Sequence, residues 1–388
     1  MNAVTTFQGF IRADGKIGIR NDVLILSICA LNNEAARRIA VTVAGTRLVT
    51  TPYGRGHLGP DRAVHERVLI GLAANPNVAA VLIIGPDDPA VAHVASALGP
   101  TGKPVEGLSS QEFQEDALAL SMQGIRIAAH LVLRASKAQR EPAPLSALFL
   151  GIECGQSDAS SGMVANPLAG AVADRIVDAG GRAVVGETIE WMGAEDALLS
   201  RAVSPEVAQN IRDAVQRREQ RAIASNVDLT GNNPGPQNIE GGLSTIEEKS
   251  LGAICKSGSR TINGVLEIAE YPDEPGLYLM DAPAFASESL TGMTAAGTQA
   301  VLFTTGPGNA YCSLLAPTIK LSANPETCLR LGDQLDFDAA DVFGGNQTMN
   351  HATDRLLAHL VAVCSGTLTF GEILGEGAEA VIRKGALL

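Results

Sequence analysis

Hydrophobic and polar positions along the chain fall into a repeating unit: a short β-branched run, a glycine-rich turn, then a stretch with amphipathic helical spacing. The runs are "VLILSIC" from residue 23, "AAVLIIG" from 79, "SALFLG" from 146, "RAVVG" from 182, "LYLMDAP" from 277 and "AVLFTTG" from 300. Near-continuous apolar runs separated by helix-length segments are what parallel strands need when crossover helices cover both of their faces. The predicted fold class is therefore α/β, in two lobes, each with a mainly parallel sheet flanked by helices.

The segment "RASKAQREPAPLS", residues 134 to 146, interrupts the pattern with charge and two prolines, the composition of a linker. It divides the chain into an N-terminal α/β lobe, 1–142, and a C-terminal catalytic lobe, 143–388. A second irregular stretch, "VDLTGNNPGPQNIEGGLSTIEEKSLG" from 227, has too many Gly, Pro and Asn residues for a helix before "STIEEKS". A loop of that length between apolar segments is expected to be functional.

Composition narrows the class. The 388 residues exceed what one core usually serves, and 46% hydrophobic residues can fill two. A formal charge of −13, no basic run, four Tyr and one Trp argue against a nucleic-acid groove. The apolar runs are too short to span a bilayer and the start has no signal-peptide core, so a cytoplasmic protein with no membrane partner is expected. The cysteines at 29, 154, 255, 312, 328 and 364 contain no CxxC, which excludes a disulfide lattice or a local zinc or iron–sulfur motif.

Open parallel sheets bind ligands beyond the carboxyl ends of their strands, so the residues after each run are where chemistry is expected. Glu153, Cys154, Gln156, Ser157 and Asp158 follow one run; Glu187, Thr188 and Glu190 the next; then come Asp281, Glu288 and Ser289; then Gly308, Asn309 and Lys320. Carboxylates converging on one rim need a compensating cation or a shared proton, and a hard divalent ion (Mg²⁺, Mn²⁺ or Fe²⁺) is the simplest answer. Its expected ligands are Glu153, Cys154, Asp158 and Glu288, with Glu187 beside them. The plainer alternative is that Ser157, Asp158 and Ser160 cap the next helix while Glu153 and Glu187 are solvated, and that Cys154 is a small buried filler.

In "GGLSTIEEKSLG", Ser244 or Thr245 reads as an N-cap with Glu247 or Glu248 closing a capping box. Lys249 beside a polarised substrate suits a general base, with Glu187 and Glu247 as the companion catalytic carboxylates. Arg20 and Asn21 in "GKIGIRND", and Arg55 and His57 in "TPYGRGHLGPD", lie beside glycines and suit an anion clamp. With Ser157, Ser289, Asn309 and Lys320 they make the expected substrate-binding set. Neither GxxxxGK[ST] nor a strand-borne GxGxxG occurs, so nucleotide binding is unsupported.

From Gly9 onward the chain resembles the catalytic portion of the altronate and galactarate dehydratases, through "GFIRADGKIGIRND", "GIECGQSDASSGMVANP", "GETIEWMGAED", "NNPGPQNIEGGLSTIEEKSLG", "LMDAPAFASESLTG", "VLFTTGPGN" and "APTIKLSANPET". The resemblance implies removal of water from a sugar acid to leave a 2-keto-3-deoxy acid, aided by a divalent metal. The same scaffold serves the large subunit of (2R)-sulfolactate sulfo-lyase, which expels sulfite. "PYGRG" and residues 284 to 286 depart from the sugar-acid pattern, and Tyr53 to Arg55 with Gly308 and Asn309 look more like the sulfo-lyase. A shorter or less hydroxylated acid is the expected substrate, with a separate small subunit and homo-oligomeric assembly as the expected partners. The competing class is a small-acid-binding or regulatory protein that keeps the fold without turnover.

Overall fold

A computed structural model of the chain describes residues 5–54, 59–227 and 234–382. Its strands in chain order are β1 (Thr6–Ile11), β2 (Ile17–Gly18), β3 (Asp22–Ser27), β4 (Thr46–Val49), β5 (Val78–Gly85), β6 (Val105–Ser109), β7 (Glu141–Pro144), β8 (Phe149–Cys154), β9 (Arg182–Val185), β10 (Ile262–Leu266), β11 (Gly276–Met280), β12 (Ala300–Thr304), β13 (Thr318–Ser322) and β14 (Phe337–Asp338). Each of the six apolar runs forms a strand, and five of the six strands are buried along all or nearly all of their length, as the absence of alternation requires.

The strands form two parallel sheets, which bears out the α/β class. Four strands order β4-β3-β5-β6 in the first lobe, and seven order β10-β11-β9-β8-β12-β13-β14 in the second. Sequence alone does not predict a third, small antiparallel sheet, β2-β1-β7. Its strand β7 lies within the segment read as a linker, and residue 142 is inside that strand. Pro142 and Pro144 are tolerated there because β7 is an edge strand and need not donate on its outer side.

One apolar cluster runs from Leu24, Val81 and Ile83 of the first sheet to Val301, Phe303 and Met293 of the second, so the lobes share a core. Helix Gly59–Ala74 lies against helix Ala286–Ala295 at this junction. Gly71 lets them touch: a Cβ there would stand 2.3 Å from the Ala295 carbonyl oxygen. Asn75 and Asn77 stitch the same seam, donating to the carbonyls of Thr294, Thr298, Gln299 and Leu315.

Lys103 ends beneath this region with its ammonium donating to the carbonyls of Ala73 and Asn75, at 2.9 and 3.0 Å. Burial, reinforced by Arg12, lowers its pKa to about 7. A lysine depressed in the folded state takes up fewer protons than the unfolded chain between about pH 7 and 10, so its penalty is full below that window and relieved as pH rises through it. Replacing Lys103 with Met should therefore raise the melting temperature more at about pH 6 than at about pH 9, measured by thermal unfolding in both buffers. An equal shift at both pH values would refute the assignment.

Candidate active site

In the seven-stranded sheet the chain builds outward from β8 through β9 to β11 and β10, then returns to lay β12 on the other side of β8. The reversal opens a crevice beyond the carboxyl ends of β8 and β12. Strand β8 delivers Glu153 and Cys154 there, 0% and 2% exposed. Directly after β9, Glu187 adopts left-handed backbone angles, φ 65° and ψ 63°, which are costly for a side chain with a Cβ. That turn brings its carboxylate back over β8, where Oε2 accepts the Cys154 N–H at 3.0 Å and lies 3.2 Å from Cys154 Sγ.

Sequence reasoning missed the centre of the cluster. Lys256, 1% exposed, donates from Nζ to Glu187 Oε2 at 2.5 Å and to Cys154 Sγ at 2.9 Å. It follows helix Ile246–Ile254, and Lys249 sits two turns earlier on that helix. Lys249 Nζ reaches Glu190 Oε1 at 2.6 Å, three residues beyond Glu187. Two lysines seven apart meet two glutamates three apart, so the helix and the post-β9 turn are joined by two ion pairs. The seven-residue spacing of Lys249 and Lys256 is the signal the sequence holds for it.

The charges are unequal in consequence. Burial, together with the facing Glu187, raises the Glu153 carboxyl well above the ordinary carboxylate range, despite Lys256 nearby and a 2.8 Å hydrogen bond from Ser289 to Oε2. A second carboxyl, that of Glu187, adds to the rise, because like charges close together disfavour ionisation. Burial also pushes up the Cys154 thiol, ahead of the effect of Glu187. Burial alone would lower Lys256, but Cys154, Glu187, Glu153 and Glu190 raise it well above an ordinary lysine. These directions favour a charged Lys256, a neutral Cys154 thiol and a protonated Glu153.

Among the described buried polar atoms without a hydrogen-bond partner are Glu153 Oε1, Ser157 Oγ, Glu190 Oε2 and Ser250 Oγ. Such atoms are rare in folded proteins, and an unpaired carboxylate oxygen within the cluster is an acceptor still to be used. A cavity of about 230 Å³ is lined by Ser157, Asp158, Asn166 and Lys249, the last of which is paired with Glu190. Behind Asp158 the chain makes one π-helical turn, Ser161–Ala165, a distortion frequent at functional sites.

The other expected residues are engaged elsewhere. Asp158 accepts from Ser160, from the Ser161 N–H and Oγ, and from Asn324, so its carboxylate acts as a local cap, as the plainer reading had it. Glu288 is half-buried; burial raises its pKa and the nearby Arg218 opposes this. Arg217 and Arg218 bracket Asp281, which also accepts from Thr188. Arg20 grips Glu372 through Nε and Nη2, at 2.6 and 2.8 Å, and Asn21 bonds Arg12 and the Ala135 carbonyl. Lys320, fully buried, donates to Glu376 at 2.7 Å. These are ties within the fold, because a cation buried without a carboxylate would be too costly to keep. Glu247 is exposed on the helix's first turn, and Asn309 is half-buried, its side chain accepting the Tyr311 N–H. Arg55 and His57 lie outside the described residues.

The donor set does not fit the expected divalent ion. Among the described residues no group of three or more His, Cys, Asp or Glu is arranged to hold one. Lys256 Nζ already fills the position between Cys154 and Glu187, while Asp158 and Glu288 turn to other partners.

Comparison with known proteins gives two family matches: "D-galactarate dehydratase/Altronate hydrolase, second domain" over residues 9–136 and "D-galactarate/Altronate dehydratase, C-terminal" over 145–387. The chain is 38% identical over 374 residues to the (2R)-sulfolactate sulfo-lyase subunit beta of Chromohalobacter salexigens, covering 96% of this chain and 95% of that one. It is 31% identical to the altronate dehydratase of Bacillus subtilis over 400 residues, 100% of this chain and 79% of the relative. With the altronate dehydratase of Escherichia coli the figures are 31% over 393 residues, 98% and 78%. Among the described residues no helix is long and apolar enough to cross a membrane.

Proposed function

Because the chain belongs to the D-galactarate/altronate dehydratase family and is a lyase of that family, we propose that it eliminates a β-leaving group from a 2-hydroxy acid in the β8–β12 crevice. The observation that carries this reading is the buried Glu153 with an unpartnered oxygen, its carboxyl raised above the ordinary range, in the same cluster as the Lys256–Glu187 ion pair. Elimination needs three services: a base for the C2 proton, a cation for the oxyanion of the enediolate, and an acid for the leaving group.

The Glu190–Lys249 couple supplies the base. Lys249 Nζ donates to Oε1, which leaves Oε2 open to accept a proton. This moves the proton-accepting atom from Lys249, the base expected from sequence, to its partner. Lys256 is the fixed cation, too deeply charged to release its proton. Glu153 is the acid: as the C3 substituent departs with the bonding pair, the carboxyl delivers its proton, and the enol product relaxes to the 2-oxo acid.

Water is the leaving group in the first reading, from a 2,3-dihydroxy acid. The match to a sulfo-lyase subunit along nearly its whole length favours a second, in which sulfite leaves a 3-sulfo-2-hydroxy acid and a separate small subunit completes the enzyme. The exposed apolar Phe285 at the start of the Ser289 helix suits a substrate with few hydroxyls.

The test is to incubate the protein, alone and with the small subunit of a sulfo-lyase relative, with altronate, galactarate and (2R)-sulfolactate, assaying 2-oxo acid and sulfite separately. Saturable formation of 2-oxo acid is expected, with or without equimolar sulfite. Binding of an acid without either product would overturn the lyase reading. A chelator arm distinguishes turnover carried by these residues from turnover that needs an added ion.

A further inference from the structure

The chain's last described segment, residues 376–382, crosses back over the site's outer wall as a strap. Val381 and Ile382 are buried in the apolar cluster that holds Leu290 and Met293. Gly377 pairs with Cys312 in an isolated bridge, and a Cβ there would stand 2.8 Å from Leu314 Cα, so only glycine allows the approach. Between these anchors Glu379 turns inward. Its Oε1 accepts from Ser313 Oγ at 2.6 Å and from the Leu314 and Leu315 N–H groups at 2.9 and 3.3 Å; its Oε2 accepts from Thr291 Oγ1 at 2.9 Å.

Those partners belong to two separate walls of the crevice. Thr291 lies on helix Ala286–Ala295, two residues after Ser289, the donor to Glu153. Ser313 lies in the thirteen-residue β12–β13 loop, 305–317, which also carries Asn309 and Tyr311. Other bonds run the same way: Tyr311 donates to the Ala378 carbonyl at 2.7 Å and the Ser287 carbonyl at 3.3 Å, and the Ala380 N–H donates to Thr291 Oγ1 at 2.8 Å. One carboxyl therefore knots the helix to the loop. The loop has no helix or strand of its own, so side-chain and strap contacts of this kind set its path.

We propose that Glu379 is a positioning residue: from the C-terminal strap it fixes helix Ala286–Ala295 against the β12–β13 loop and so sets where Ser289 holds Glu153. The proposal rests on the lyase reading for its kinetic arm alone.

Glu379→Ala leaves two hydroxyls and two N–H groups facing a void, whereas Glu379→Gln keeps an acceptor for Ser313 and the loop amides. With the alanine variant, kcat should fall roughly 10- to 100-fold, the cost of a small displacement of a catalytic group, with KM within about a factor of three. The glutamine variant should restore most of kcat. Hydrogen exchange followed by mass spectrometry supplies an arm independent of activity: residues 286–294 and 306–315 should exchange faster in Glu379→Ala than in wild type, and Glu379→Gln should restore protection. Unchanged exchange in both segments overturns the proposal whatever the reaction proves to be. Altered exchange with kcat within about twofold of wild type overturns the positioning role. Altered exchange in a protein that turns over none of the acids upholds the knot and counts against the lyase reading instead.

Discussion

Replacing Lys256 with methionine is expected to abolish turnover and to lower stability at the same time. The ammonium is the only positive group bonded to Cys154 and Glu187 among the described residues, and both bonds are made in full burial. Its removal leaves the Glu187 carboxylate beside Glu153 with no counter-charge, and breaking one side of a buried pair costs on the order of 3–5 kcal/mol. The kinetic loss comes from a separate cause: a fixed charge aimed at a developing oxyanion is worth roughly 10²- to 10³-fold in kcat. The two effects separate in the double variant Lys256→Met/Glu187→Gln, in which no charge is stranded. Thermal unfolding should show most of the lost stability restored, while the product assay stays silent. A single variant that melts like wild type and turns over within a few-fold of it would remove Lys256 from the mechanism.

The ladder of ion pairs explains why the turn after β9 keeps its strain. With Glu187 held by Lys256 and Glu190 by Lys249, both carboxylates of the turn are fixed to one helix, and the left-handed geometry at Glu187 is what lets both reach it. Strain of order 1–3 kcal/mol persists only where surrounding contacts over-determine it. Here those contacts are the two lysines and the Trp191 indole, which donates to the Gly186 carbonyl.

How much of this was legible in the sequence follows from what each signal depends on. Strand identity depends on unbroken apolar character, so all six runs emerged, and with them the prediction that Glu153, Cys154 and Glu187 stand on one rim. Ser289 came into reach of Glu153 because the residues after β11 were read the same way. Strand β7 escaped because its two-proline segment carries no apolar run, and β1 because Thr6, Gln8 and Gly9 interrupt its apolar residues; each is strand by virtue of its partner. Lys320 illustrates the converse failure. Beyond a strand it was expected to clamp an anion, yet it lies within β13, and its charge is absorbed by Glu376, 56 residues away, a pairing no local pattern encodes. Arg20 and Glu372 repeat the case across 352 residues. Positive side chains near glycine-rich turns look alike in sequence whether they await a ligand or hold the chain's own carboxylate, and only the fold distinguishes the two.

Glu153→Gln should separate the proton of this site from its shape. Glutamine preserves the length of the side chain and an oxygen for the Ser289 hydroxyl, but it cannot ionise or deliver a proton. Because burial and Glu187 hold the Glu153 carboxyl well above the ordinary range, the folded protein binds a proton that the unfolded chain has released over the interval between those two values. The sign follows: wild-type stability is greatest below the ordinary carboxylate pKa and declines as pH rises through the raised one, whereas the glutamine variant shows no such decline. Denaturant unfolding at stepped pH should therefore find the variant gaining on wild type with each alkaline step. Turnover should fall about 10²- to 10⁴-fold, the usual worth of a positioned general acid. The alkaline limb of the wild-type kcat profile, which reports loss of that proton, should vanish from whatever activity remains. If the variant instead keeps wild-type turnover with the alkaline limb intact, the proton for the leaving group comes from another donor, and the ion-paired Lys249, in the wall of the 230 Å³ cavity, is the next group to test.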